Sequence, residues 1–540
     1  MQLALPKRRW LVIPVLGTAL LAGCGGVSGG GGESGNTVGT DVITGTTPAD
    51  QATSVATSAV IRITFAKPAV PGTEEGGVVA GGAEVEIATN WSDDNTVLSV
   101  TPAAPWQNGL TYTVRFTAVT FADGTELATA YSFSFTVGEG GDGTVVAGKW
   151  ALWTGGTRLR GANIWQSRNY VELHGEGTLG DGPVGPPFAQ GDFDALAAFG
   201  ANYVNISHPG LFTEAPPYEL DESIQANLDD LLDKIAQADM FAVITFRTGP
   251  GRSEFWAVLG EDTEASPAEG WFDPSYYNHT VWQEQAAKDA WAAMWRHTAE
   301  RYRGNAVVVG YDLMCEPNAE EIFFDIWGQP DDFYPAQANT SYDWNVFYPA
   351  VVDAIREVDA ETPILVQPMG YGSVAWLPYL ELTDDTRTVY TIHQYEPSVY
   401  THQAPPPDNT YPGEFDTDYD EVGDEVNRAW LNSLLETVDE YATTHDVPIA
   451  VNEFGLMRWE PGGDQFMTDI MNLFEQRGMN HALWAWSASW EPFAWNDGFN
   501  FRNGLDPENH KDAMPNDLAD AISENWRLNT LRPSNVMFDD

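Results

Sequence analysis

Two glutamates stand where a closed fold could turn them into a catalytic pair. Glu316 lies in Val309-Gly310-Tyr311-Asp312-Leu313-Met314-Cys315-Glu316-Pro317-Asn318, and Glu453 in Pro448-Ile449-Ala450-Val451-Asn452-Glu453-Phe454-Gly455. Each follows an apolar, strand-like stretch and precedes turn residues. They are 137 residues apart in sequence, so only a closed fold brings them face to face. Facing carboxylates about 5–5.5 Å apart can break a glycosidic bond, one as acid and one as nucleophile. Most glutamates in so acidic a chain are solvated surface charges. Position at the ends of apolar strands separates these two from the rest.

Other residue types gather at similar places. His393-Gln394-Tyr395 puts an imidazole and a phenol on one face of a strand end, two residues apart. Sugar rings pack their C–H faces on flat aromatic side chains. Trp165, Trp271, Phe272, Trp376, Trp484, Trp486 and Trp490 all fall at or after strand candidates. Two or three are expected to touch a ligand, and the others to pack the core or loops. The Pro- and Tyr-rich stretch Pro397 to Phe415 is expected to shape one wall. Cys315 has no readable histidine partner, so thiol nucleophilic catalysis is not expected. Asp416-Thr417-Asp418-Tyr419-Asp420 resembles the start of a calcium loop, but Glu421 stands where that loop needs Gly. A solvated acidic turn is the expectation there, with no metal and no cofactor.

The elements that must carry these groups alternate. Strand candidates are Arg158–Asn163, Ala201–Ser207, Met240–Phe246, Ala306–Leu313, Pro363–Gln367, Thr388–His393, Val447–Asn452 and Asn480–Trp486. Helical patterns lie between them. Ile224, Leu228, Leu231, Leu232 and Ile235 follow Asp221, a candidate N-cap. Phe466, Ile470, Leu473 and Phe474 are stopped by Gly478. Eight strand–helix alternations predict an α/β fold of the (β/α)8 TIM-barrel type over 146–530, with catalytic groups at the C-terminal strand ends. No Gly-rich phosphate loop follows any strand, which disfavours a doubly wound nucleotide-binding sheet.

Residues 42–137 read as a smaller all-β unit. Ala59–Phe65 and Thr111–Phe116 alternate with period two, and Asn108-Gly109 and Asp123-Gly124 supply turns. Thr47-Pro48-Ala49-Asp50, Ile63-Thr64-Phe65 and Ser132-Phe133-Ser134-Phe135 resemble a bacterial Ig-like domain, which implies a sandwich; nothing in it looks catalytic, so a spacer role is expected, with sugar binding as the alternative. A Gly-rich hinge is expected over 138–145 and a C-terminal tail over 531–540.

The region Arg158 to Trp526 resembles glycoside hydrolase family 5, the cellulase-type family of clan A. The resemblance rests on Glu316-Pro317 after strand four, Glu453-Phe454-Gly455 after strand seven and His393-Gln394-Tyr395 after strand six. It implies that Glu316 is the acid/base and Glu453 the nucleophile of a retaining β-glycoside hydrolase. It also implies a hydrogen bond from Tyr395 to the nucleophile, a place for His393 in the substrate and acid/base network, and Trp486 beneath the cleaved sugar. Cys315 stands where the family has the Asn that holds the 2-hydroxyl. Tyr203-Val204-Asn205-Ile206-Ser207 lacks the family's strand-two Arg, and Arg247 at the end of strand three could reach the same space. The substrate is then a β-linked polysaccharide or oligosaccharide of glucan or mannan type. The competing reading is a non-catalytic carbohydrate-binding surface lipoprotein, which Cys315 and Asn205 favour and the retained glutamates oppose.

Lys7, Arg8 and Arg9 precede an apolar run from Trp10 to Ala22, too short to span a bilayer stably and typical of a secretory signal. Leu21-Ala22-Gly23-Cys24 resembles a lipobox, which implies a signal peptide over 1–23, a lipid on Cys24 and a flexible Gly/Ser tether over 24–41. An exported, lipid-anchored protein at the cell surface or outer membrane is expected. The remaining composition agrees. With 78 Asp+Glu against 26 Lys+Arg the net charge is −52, which repels nucleic acid. The chain holds 21 Trp, 20 Tyr and 25 Phe, too many aromatics for a disordered polyanion. Its two cysteines, Cys24 and Cys315, cannot form a disulfide framework. A monomer is expected.

Overall fold

The computed structural model describes residues 37–38, 42–48, 52–55, 61–81, 83–85, 87–91, 95–102, 106–107, 109–127, 130–137, 144–146, 148–169, 182–253, 278–326, 328–418, 420–489 and 497–538. Cys24, most of the tether, Gly138 to Gly143, Trp271, Phe272 and Trp490 lie outside the described residues. The chain divides into two compact units, one formed mainly before Phe135 and one by Thr136–Asp540 with two short upstream segments.

The smaller unit is all-β. Ile43–Thr47, Ile61–Phe65, Val97–Pro102 and Ile87–Trp91 lie side by side in one sheet, and Tyr131–Val137, Thr111–Ala118, Glu75–Ala80 and Ala83–Val85 in another. Ile61, Ile63 and Phe65 alternate inward from the first sheet, and Tyr112, Val114 and Phe116 from the second, as period two requires. Gly109 and Gly124 take the left-handed φ of 77° and 80° that their turns need. Thr37–Val38, expected in the tether, instead form a short strand parallel to Glu126–Leu127.

In the larger unit eight parallel strands close in chain order: β1 (Arg160–Trp165), β2 (Tyr203–His208), β3 (Phe241–Phe246), β4 (Val308–Asp312), β5 (Ile364–Val366), β6 (Thr388–Gln394), β7 (Ile449–Phe454) and β8 (Asn480–Leu483). Two boundaries differ from expectation in ways that matter. Strand β7 runs on through Glu453. Strand β8 stops at Leu483, and beyond it Trp484 N–H bonds Phe454 O of β7 and Trp486 N–H bonds Asn163 O of β1, both at 2.8 Å.

Helices cover the barrel with their apolar faces. Helix Glu222–Gln237 buries the five predicted residues, and Asp221 Oδ1 accepts from Ser223 N at 3.1 Å and Ile224 N at 3.2 Å as its N-cap. Helix Gly463–Gln476 buries Phe466, Ile470, Leu473 and Phe474 and ends before Gly478. Thr144–Val146 pair with Val536–Phe538, so the folded unit extends beyond both expected limits, 146 and 530, into the residues assigned to hinge and tail.

The barrel interior is stacked in layers two residues apart along each strand. Tyr203, Phe241, Val243, Val309, Leu365, Val389, Ala450 and Ala482 make an apolar lower part, closed by Leu152 and Trp153. Trp153 Nε1 donates to Val309 O at 2.9 Å. Toward the C-terminal strand ends the next layer is polar and buried: Asn163, Asn205, Thr245, Asp312, Gln367 and Asn452. Asn205, read from sequence as the place of a missing Arg, belongs to this layer. It donates to Asn163 Oδ1 at 2.7 Å and accepts from Thr245 Oγ1 at 2.6 Å.

Candidate active site

Glu316 sits in the loop after β4, four residues beyond its last strand residue, with a left-handed φ of 53°. That backbone costs a non-glycine residue on the order of 1–3 kcal/mol and persists only where neighbours hold it. Here they do. Glu316 N–H donates to Gln367 Oε1 at 2.9 Å, and Arg252 donates to the Glu316 and Cys315 carbonyls, both at 2.7 Å. The Glu316 carboxylate reaches His393 Nδ1 at 3.0 Å.

Glu453 comes from inside β7. A register shift between Ile392 and His393 sets His393 opposite Glu453 across the ladder, the re-aiming that a bulge produces. Its Oε2 accepts from Tyr395 Oη at 3.1 Å and lies 3.4 Å from His393 Nδ1. Its Oε1 accepts from Arg247 Nη2 at 3.1 Å and from the Cys315 thiol at 3.6 Å. Arg247, two residues beyond Thr245 of the polar layer, is steered by Ser207 Oγ at 2.8 Å. Its Nη1 lies 3.7 Å from Glu316 Oε2.

One imidazole nitrogen at 3.0 and 3.4 Å from an oxygen of each glutamate limits those oxygens to a separation of about 6.4 Å. The two carboxylates therefore face one another across a single side chain.

Burial and charge set the proton inventory. Burial alone would depress His393, but Glu453, Glu316 and Asp312 outweigh it and raise the imidazole above its ordinary value. Burial pushes Glu316 upward, yet the His393 hydrogen bond and charge, with Arg247 and Arg252, bring it below the usual range. Burial wins at Glu453 and raises it. Cys315 and Tyr395 are raised well above their ordinary values by burial, so both stay neutral donors. The raised imidazole and the lowered Glu316 carboxyl together favour the proton on His393 over Glu316 while the site is free, within reach of Glu316 Oε1.

The aromatic residues sort differently from expectation. Trp486, expected beneath the cleaved sugar, is 1% exposed; its Nε1 donates to Asp192 O at 3.0 Å, and Phe199, Phe501 and Arg502 surround the ring. It is a core residue. Trp484 takes the place at the site, with the Arg247 guanidinium 5.0 Å from its ring centre. Trp376 is buried against Phe333 and Tyr334. The stretch after Pro397 does reach the site: His402 meets Tyr395 edge-on at 5.2 Å, and burial holds it neutral with a pKa of about 4. Asp416, Asp418 and Asp420 gather in one turn, and Asp416 accepts from the amides of 418, 420 and 421. Glu421 adopts a left-handed φ of 69° there, the conformation the sequence argument reserved for Gly.

Glu316, Glu453, His393 and Tyr395 thus meet in one place, and Trp486 does not join them. Arg252, Gln367 and Asp312 carried no assignment from sequence. The available signal was polarity: Asp312 and Gln367 close the otherwise apolar runs of β4 and β5, positions that point inward at the layer beneath the mouth.

A model described as Cellulase (glycosyl hydrolase family 5) matches residues 172–489, more than half of the chain. A bacterial Ig-like domain model matches residues 39–137. Endoglucanase 3 of Fibrobacter succinogenes is 26% identical over 211 residues, 34% of this chain and 30% of that protein. Endoglucanase C of Acetivibrio thermocellus is 26% identical over 145 residues, 27% of this chain and 37% of that protein. The chain thus spans about a third of the length of these curated relatives. A crystal structure of a glycoside hydrolase shares the fold at 18% identity and a TM-score of 0.50, covering 68% of this chain and 99% of the other. With its closed eight-stranded barrel and the family match across the region that carries both glutamates, the chain belongs to glycosyl hydrolase family 5.

Proposed function

We propose that this protein is a retaining β-glycoside hydrolase acting on a β-linked glucan or mannan chain, with Glu453 as nucleophile and Glu316 as acid/base. Glu453 attacks the anomeric carbon, the bond to the leaving oxygen breaks, and that oxygen takes the proton held by the Glu316–His393 pair. Glu316 then accepts a proton from water, whose oxygen replaces Glu453 at the carbon and frees the sugar. Arg247, Tyr395 and the Cys315 thiol hold the Glu453 carboxylate, and Trp484 offers a face to the sugar. The observation that carries this reading is the one His393 nitrogen within 3.4 Å of both glutamates.

Proton NMR of the first-formed product tests it: retained configuration is expected, and inversion removes Glu453 from its role. Alanine variants separate the two glutamates. Without Glu316, a substrate with a good leaving group should still form the intermediate, and added azide should rescue turnover as the β-glycosyl azide. Without Glu453, azide can attack only from the opposite face and give the α-azide. If neither variant loses activity, the two-glutamate scheme fails. If the parent binds glycans and cleaves none, the non-catalytic carbohydrate-binding reading replaces it.

We also infer export and lipid anchoring through Cys24, supported by Lys7-Arg8-Arg9, the apolar run to Ala22 and Leu21-Ala22-Gly23-Cys24. Cys24→Ala should appear in the soluble fraction with its hydrolytic activity intact. Retention on membranes through salt and high-pH washing overturns the assignment.

A further inference from the structure

The polar layer beneath the glutamates holds one carboxylate that the hydrolytic scheme leaves unused. Asp312, at the end of β4, is fully buried. Its Oδ2 accepts from Gln367 Nε2 and Asn452 Nδ2, both at 2.7 Å, with Thr245 Oγ1 at 3.3 Å. Each amide leads to a glutamate. Gln367 Oε1 receives the Glu316 N–H, and Asn452 is the residue before Glu453 in β7. A single carboxylate oxygen therefore joins the supports of both carboxylates of the site.

The second oxygen, Oδ1, is buried with no hydrogen-bond partner among the described residues, and the same holds for Nε2 of His393. The Asp312 charge is one of those that favour the protonated His393 ring. Nδ1 of the same ring faces Glu316 and Glu453. The imidazole thus has two glutamates on one nitrogen and lies in the field of a third carboxylate.

We propose that Asp312 is a positioning residue for Glu316 and Glu453 and that its negative charge keeps the acid proton on His393 beside Glu316. The charges acting on His393 are those of Glu453 from β7, and Glu316 and Asp312 from β4 and its loop, while Arg247 after β3, Cys315 and Tyr395 bond the same Glu453 carboxylate. Three can be anionic and one is cationic, so the surroundings favour the imidazolium. Burial holds the Asp312 carboxyl up at about 7, so it ionises in the range where that proton must be kept. Removing its charge lets the proton leave His393 at lower pH, and the alkaline limb of kcat/KM moves down.

The inference rests on hydrolysis by Glu316 and Glu453, and the test separates the two. Asp312→Asn in the full chain is compared with the parent on phenyl and dinitrophenyl β-glycosides, which differ in their need for the acid proton. Expected are a kcat loss of at least about tenfold on the phenyl substrate, a loss under about threefold on the dinitrophenyl one, and KM within about twofold on both. The alkaline limb should fall by about 0.5–1 pH unit. Equal losses on both substrates with an unmoved limb reduce Asp312 to a structural part and overturn the inference. Should Asp312→Asn not fold, nitrogen NMR of His393 in the parent decides: an imidazolium at neutral pH supports the inference and a neutral ring overturns it. A parent that cleaves no glycoside refutes the proposed function instead.

Discussion

Arg247 Nη2 lies 3.1 Å from Oε1 of Glu453, 206 residues further along the chain, while its Nη1 lies 3.7 Å from Oε2 of Glu316. Two carboxylates this close repel when both ionise, and the repulsion is strong where water is scarce. A guanidinium between them offsets it and fixes the angle of each. The family's strand-two Arg is absent here, and β3 supplies the cation from the next layer up, above Thr245.

Arg247 should therefore be indispensable. Arg247→Met should lower kcat/KM on an aryl β-glycoside by about 10²–10³, the usual cost of losing one preorganised donor at a reacting centre. Arg247→Lys keeps the charge and loses the planar fork, so it should recover only part of the loss. A Met variant within threefold of the parent refutes the assignment.

Cys315 donates weakly to the same Glu453 oxygen and sits where an amide would be the stronger donor. Cys315→Asn should raise kcat/KM on a soluble β-glucan by roughly threefold to tenfold, the worth of one improved hydrogen bond, if a glucan is the substrate. Cys315→Ala is the reference. An Asn variant slower than the Ala variant shows that no sugar hydroxyl approaches this position.

Glu453 must be ionised to attack, and its carboxyl is raised above the ordinary glutamate value of 4.5 by burial, with the Glu316 charge contributing. Activity should consequently fall as pH drops through a value above 4.5. Glu316→Gln removes one of the causes. Its acid limb on a dinitrophenyl β-glycoside should move to lower pH, and an upward move contradicts the coupling.

The two tryptophans near the end of β8 should fail differently. Trp486→Ala empties a core position and should cost about 3–5 kcal/mol of stability, read as a lower unfolding midpoint. Trp484→Ala removes the aromatic face against Arg247 and should cost turnover with the smaller loss of stability. If Trp486→Ala instead unfolds like the parent and binds substrate weakly, the placement of these two rings is wrong.

Local pattern was enough to announce much of this protein. Eight apolar runs separated by amphipathic helices implied the barrel, because burial on both faces writes strands as continuous hydrophobic stretches. Period two marked the Ig-like strands, and Asp221 and Gly478 marked helix ends, because caps and turns are set by neighbouring residues. Glu316, Glu453, His393 and Tyr395 were legible because strand ends in a barrel face one mouth. What tertiary structure alone decided is which side chains share a layer. Strand β8 ends at Leu483, and only the fold shows that beyond it Trp486 packs in the core while Trp484 lies beside Arg247. Arg247 reaches both glutamates because β3 stands between β2 and β4, a placement fixed by the closed ladder. Asp312 joins Gln367 and Asn452 only when β4, β5 and β7 place their inward residues at one height. Register and closure are properties of paired strands, and no single segment carries them.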